Sequence, residues 1–101
     1  MSLQIDIDQN RIADFCHRWS VATLALFGSV LRDDFDPERS DVDVLVEFEA
    51  GARIGLIEFA RMGFELEEMF GRRVDLVSKN GLKPRLRREV LGTAQVVYAA
   101  A

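Results

Sequence analysis

The sequence predicts an α/β (α+β) domain in which a small mixed β-sheet is covered by helices. Three observations lead there: strand-like and helix-like segments alternate, the strands are short apolar runs stopped by glycine, and the helices are apolar on one side only. With 101 residues, 49% of them hydrophobic and 30% charged, the chain buries roughly 65% of its unfolded surface. Residues 1–101 read as a single domain, without linker, repeat or low-complexity tract.

The first element is a helix from Gln9 to Trp19. Asp8 is a good N-cap, and Ile12, Phe15, Cys16 and Trp19 keep helical spacing. Val21 to Phe27 is a buried strand that Gly28-Ser29 breaks, with a short helical turn expected from Val30. The cluster of Asp, Pro and Ser over Asp34 to Ser40 predicts a loop. Strict alternation follows: Val42, Val44, Val46 and Phe48 point one way, and Asp41, Asp43, Leu45 and Glu47 the other. From Arg53 to Phe70 the positions Leu56, Phe59, Gly63, Leu66 and Phe70 step by three or four, widened by Ile57, Ala60 and Phe64. Glu58, Arg61, Glu65 and Glu68 form the polar stripe of this long helix, whose phenylalanines are expected in the core. Val74 to Ser78 is a third strand, Pro84 to Leu91 a basic helix ended by Gly92, and Gln95 to Tyr98 a last short strand.

Composition excludes several functions. No apolar run approaches the ~18 residues of a membrane span, and Asp6 and Asp8 sit where a signal peptide would be basic and apolar, so a cytoplasmic protein without membrane contact is expected. The single cysteine, Cys16, forms neither an internal disulfide nor a multi-thiolate metal site. His17 has no partner at metal-binding spacing. The net charge of −4 divides unevenly: residues 1–71 hold six basic and fifteen acidic side chains, residues 72–101 seven basic and two acidic. This argues against direct nucleic-acid binding, although Arg72, Arg73, Lys79, Lys83, Arg85, Arg87 and Arg88 form a local basic run. Without interleaved aromatics that run is no stacking platform.

The chemistry concentrates in Phe27-Gly28-Ser29-Val30-Leu31-Arg32 and Ser40-Asp41-Val42-Asp43. Glycine at a strand-to-helix corner lets a ligand approach the backbone, and free N–H groups with the Ser29 hydroxyl suit phosphate oxygens. Asp41 and Asp43 share one strand face with Cα atoms about 6.5 Å apart. At an effective dielectric near 20 they repel by roughly 2–3 kcal/mol, a cost that bound Mg²⁺ reverses. The structural alternative is a capping Asp41 and a solvated Asp43. Asp75 interrupts an apolar strand, where an acid is paired, metal-bound or catalytic; an edge-strand pairing with Arg72 or Arg73 is the other reading.

A Gly-Ser corner, a loop of about ten residues, an Asp-x-Asp strand and a later strand Asp together resemble the nucleotidyltransferase superfamily of DNA polymerase β. Over essentially its whole length, through Lys83-Pro84-Arg85 to Tyr98, the chain is similar to the minimal nucleotidyltransferases (MNT), antitoxins to HEPN-domain ribonuclease toxins. The resemblance implies the nucleotidyltransferase fold, with Gly28 and Ser29 on the triphosphate of ATP; Arg32, Arg39 and Ser40 are candidate nucleotide contacts, the other reading of the two arginines being solvated loop residues. It implies one or two Mg²⁺ ions on Asp41, Asp43 and Asp75, the last also activating the incoming hydroxyl. That hydroxyl is a tyrosine's on the partner toxin, which AMP transfer silences. One departure stands out: many relatives read Gly-Ser-x-x-Arg-Gly, whereas Asp33 follows Arg32 here and adds negative charge. Two rivals remain, a non-catalytic antitoxin that masks the toxin and a small-molecule nucleotidyltransferase; the missing helical acceptor domain speaks against the second. The wide apolar stripe of the long helix is expected to provide a protein interface, for a homo-oligomer or a complex with the toxin.

Overall fold

The computed structural model describes residues 7–28 and 41–100. Its elements are α1 (Gln9–Arg18), β1 (Val21–Phe27), β2 (Val42–Phe48), α2 (Leu56–Phe70), β3 (Val74–Ser78), a 3₁₀ turn (Lys79–Gly81), α3 (Pro84–Thr93) and β4 (Gln95–Ala99). The expected turn at Val30 and loop Asp34 to Ser40 lie outside the described residues. So do Ser29, Arg32, Arg39 and Ser40.

The four strands form one mixed sheet in the order β3-β2-β1-β4. β1 pairs antiparallel with β2 and β4, while β2 and β3 run parallel, as their connection through α2 requires. α1 and α2 cover one face. Ile12, Phe15 and Cys16 from α1 and Met62, Leu66 and Phe70 from α2 meet Leu24, Leu26, Val42, Val44 and Val46 in a single core. Each such side chain stabilises the fold by roughly 1.5–3 kcal/mol on burial.

Helix ends follow local chemistry. The Asp8 carboxylate accepts from the N–H groups of Asn10 (3.1 Å) and Arg11 (3.2 Å). Gly71 ends α2 in the left-handed region, φ 70°, donating its N–H to the Glu67 carbonyl at 2.8 Å. α2 starts at Leu56 rather than Arg53, because Gly55 is held extended as N-cap while Ile54 turns into the core. Helix α3 runs to Thr93, two residues past the expected Leu91, since Gly92 stays helical and Ala94 is the cap.

The long helix corrects one expectation. Phe64, read as core, is 68% exposed, as are Leu56 (86%) and Ile57 (72%), whereas Met62 is fully buried. An apolar stripe this wide cannot all face one sheet, and the half centred on Met62, Leu66 and Phe70 wins. Among the described residues no helix is long and apolar enough to cross a membrane.

Candidate active site

The chemistry-bearing residues lie on the face of the sheet opposite α1 and α2. Val42 and Val44 are both fully buried on the helical side, so Asp43 between them projects from the open side. Val74 and Leu76 pack against the core, and Asp75 between them projects the same way and is exposed.

Strand register then aligns the pieces. Phe27, the last residue of β1, pairs with Asp43, and Asp43 pairs with Asp75. Neighbouring strands are about 4.8 Å apart, so two acids stand side by side at the end of β1. Gly28 follows at φ +75°, and a Cβ added there would run into the Asp43 carboxylate. The corner therefore needs glycine twice, for its backbone angle and for its contact with the acid.

Asp41 precedes β2 and is exposed. Its Oδ1 forms an ion pair with Arg73 Nε at 3.2 Å. The expected alternative partner for Arg73 was Asp75; the structure gives it to Asp41, because the Arg73 carbonyl accepts the Val42 N–H at 2.9 Å and fixes the two chain segments together. Among the described residues no three His, Cys, Asp or Glu side chains gather around one point. Asp43 and Asp75 are thus brought together by pairing, while Asp41 is adjacent but engaged by Arg73.

Beyond the acids the open face turns apolar. A groove of about 80 Å³ is lined by Thr23, Ala25, Leu45, Leu91 and Val96, and closes on Glu47 and Lys79. Lys79 Nζ donates to Glu47 Oε2 at 3.2 Å. This pair was not anticipated; its only sequence signal is an acid on the same strand face as Asp43. A larger groove of about 290 Å³ runs between α1 and α2 past Arg11, Arg18 and Glu65, on the other side of the sheet from the acids. Arg18 donates to Glu65 across it at 2.7 Å. His17 is exposed, as expected, its ring edge-on to Tyr98 with centroids 6.1 Å apart.

Comparison with known proteins identifies the family. Residues 10–97 match the nucleotidyltransferase domain. The protein adenylyltransferase MntA of Thermococcus cleftensis is 41% identical over 81 residues, 80% of this chain and 77% of that protein. A Methanocaldococcus jannaschii protein, also named as a protein adenylyltransferase, is 33% identical over 92 residues, 91% of this chain and 96% of its own. Among solved structures, one assigned as a minimal nucleotidyltransferase superposes with a TM-score of 0.71 at 42% identity, covering 85% of each chain. The fold is also shared with an MNT antitoxin bound to a tri-AMPylated HEPN toxin of Shewanella oneidensis, at TM-score 0.66 and 19% identity over 91% of this chain and 70% of that one. A toxin–antitoxin structure containing AMP-PNP gives 0.73 at 18% identity, over 93% and 75%. The chain belongs to the nucleotidyltransferase domain family.

Proposed function

We propose that this nucleotidyltransferase is an ATP- and Mg²⁺-dependent protein adenylyltransferase, an antitoxin that silences a HEPN ribonuclease toxin by transferring AMP to a tyrosine hydroxyl. The observation that carries the reading is the row formed by Gly28, Asp43 and Asp75 on the open face of the sheet. A fold that needed only a strand would not set two acids abreast beside a backbone corner that admits no side chain. The names of the relatives supply the reaction class, and the structures that share the fold supply the nature of the partner.

The residues suit a hard cation. Carboxylate oxygens are the donors Mg²⁺ prefers, and the Gly28 corner leaves room at Asp43 that a Cβ would fill. Asp43 and Asp75, with Asp41 released from Arg73, would hold the metal. When bound it supplies positive charge to the triphosphate and to the developing charge on the α-phosphoryl oxygens. The chain's own groups do the rest. The Gly28 and Ser29 backbone and hydroxyl orient the phosphates, with Arg32, Arg39 and Ser40 as additional nucleotide contacts. An Asp75 carboxylate oxygen takes the proton of the acceptor hydroxyl as that oxygen attacks the α-phosphorus. The bond from the α-phosphorus to the bridging oxygen breaks, and pyrophosphate leaves with its electron pair.

The test combines two readouts on wild type and on the Asp41→Asn, Asp43→Asn double variant, each coexpressed with the HEPN partner. The expected outcome is a toxin carrying the mass of AMP on tyrosine with wild type only, and toxicity restored by the variant. Full suppression by the variant, with no added mass in either case, would establish masking instead.

A further inference from the structure

On the open face, β1 and β2 form three successive rungs. Register pairs Phe27 with Asp43, Ala25 with Leu45 and Thr23 with Glu47, and alternation sets Asp43, Leu45 and Glu47 on one side at steps of about 6.5 Å. Along that side the chemistry changes from acid to apolar to charged. The groove of about 80 Å³ lies over the middle rung, bounded by Val96, which β4 pairs with Ala25, and by Leu91 and Ala94 at the end of α3. Ala25 and Leu45 are buried, at 3% and 4% exposure, yet stand outside the core that α1 and α2 cover. Leu91 and Val96, exposed to 44% and 55%, form an apolar rim. The space exists because Thr23, Ala25 and Ala94 are small, and the part-buried Lys79–Glu47 pair closes its far end. An apolar hollow with a buried floor and an exposed apolar rim is suited to taking in one anchoring side chain of a partner.

Size and place indicate the occupant. An apolar cavity that admits benzene has roughly 150 Å³, whereas this groove has about 80 Å³, so it fits an aliphatic side chain and excludes a nucleobase. It begins one rung from Asp43. A protein that presents a hydroxyl beside Asp43 and Asp75 therefore lies across it, which favours the modified protein over a second copy. Charge narrows the partner further. Helix α3 exposes Lys83, Arg85 and Arg88 and has no acid in its first turn, although the helix dipole disfavours cations there. Acidic groups on a docked surface offset that local repulsion.

We propose that this groove is the acceptor-docking pocket of the adenylyltransferase, taking one aliphatic side chain, set in an acidic surface, that neighbours the hydroxyl to be modified. The proposal rests on the adenylyltransferase reading of the acid row. Leu91→Glu, which charges the exposed rim, and Ala25→Val, which fills the floor, test it on the full chain with Mg²⁺, ATP and the HEPN partner, folding being verified by circular dichroism. The expected result is a rise of about 10-fold or more in KM for the partner, with kcat at saturating partner and KM for ATP within about 2-fold of wild type. Leu91→Met is expected to keep the wild-type values, and Arg85→Glu with Arg88→Glu to raise the partner's KM several-fold at low salt. Calorimetric titration of the partner without ATP gives a second readout that needs no chemistry, and the groove variants are expected to weaken Kd in parallel. A benzophenone attached to Leu91→Cys, the other thiol being buried, is expected to crosslink to an aliphatic residue beside the modified tyrosine. Unchanged KM and Kd in both groove variants would overturn the proposal and, with a gain in stability for Ala25→Val, leave the groove as a packing gap. A rise in KM for ATP instead, or a crosslink to a second copy of this chain, would also overturn it. No transfer by wild type, with Kd still weakened by the groove variants, would sink the reaction and keep the pocket as the docking site.

Discussion

Arg73 and Asp41 lie 3.2 Å apart, with 78% and 48% of their side-chain surfaces in water, a geometry worth about 0–1 kcal/mol. So weak a pair yields readily to a divalent cation. Arg73→Ala is therefore expected to leave the melting temperature nearly unchanged and to tighten Mg²⁺ binding in a calorimetric titration, because Asp41 is no longer shared. Gly28→Ala should behave differently, adding both a left-handed backbone strain and a collision with the Asp43 carboxylate. A loss of about 1–3 kcal/mol in denaturant unfolding is expected, together with loss of AMP transfer. Asp75→Asn touches an exposed side chain on an edge strand. It should cost at least ~10²-fold in turnover while stability stays within ~0.5 kcal/mol. The candidacy of Asp43 and Asp75 was legible in the sequence, because an acid inside an apolar strand violates the pattern around it, and that of Asp41, which precedes β2, came from its spacing to Asp43. That Asp43 and Asp75 are register partners was not, since parallel pairing is decided by which strand α2 delivers where.

At the scale of elements, the strands were legible nearly to the residue, because glycine or a polar loop bounds each apolar run. The long helix was legible in extent but not in orientation. Leu56, Ile57 and Phe64 belong to the same wide stripe as Leu66 and Phe70, and periodicity alone does not say which half meets a sheet. Met62, outside the anticipated series, is fully buried. Met62→Ala is expected to lower stability by about 2–5 kcal/mol by leaving a cavity in the core, while Phe64→Ala costs little. Chemical denaturation of the two variants side by side checks which face is packed. Gly71→Ala should destabilise the end of α2 through its positive φ, and with it the entry into β3 that positions Asp75.

The whole molecule responds to pH through its buried thiol. Burial pushes Cys16 up to about 12 from 9.0, so the unfolded chain releases this proton at lower pH than the folded one. Its contribution to stability is complete below pH 9 and is lost as pH rises toward 12. Cys16→Ser or Cys16→Ala should flatten that part of the unfolding curve, and native Cys16 should resist alkylation until the chain opens. The molecule also has a division of labour between its faces, with the helices and their core on one side and the acids on the other. The most direct test of that arrangement is incubation of the protein, Mg²⁺ and the HEPN toxin with ATP labelled in either the α- or the γ-phosphate. Label on a toxin tyrosine from α-labelled ATP only, abolished by EDTA and by Asp41→Asn, Asp43→Asn, is the predicted result. Transfer of the γ-label, or no transfer while the toxin is still neutralised, would contradict it.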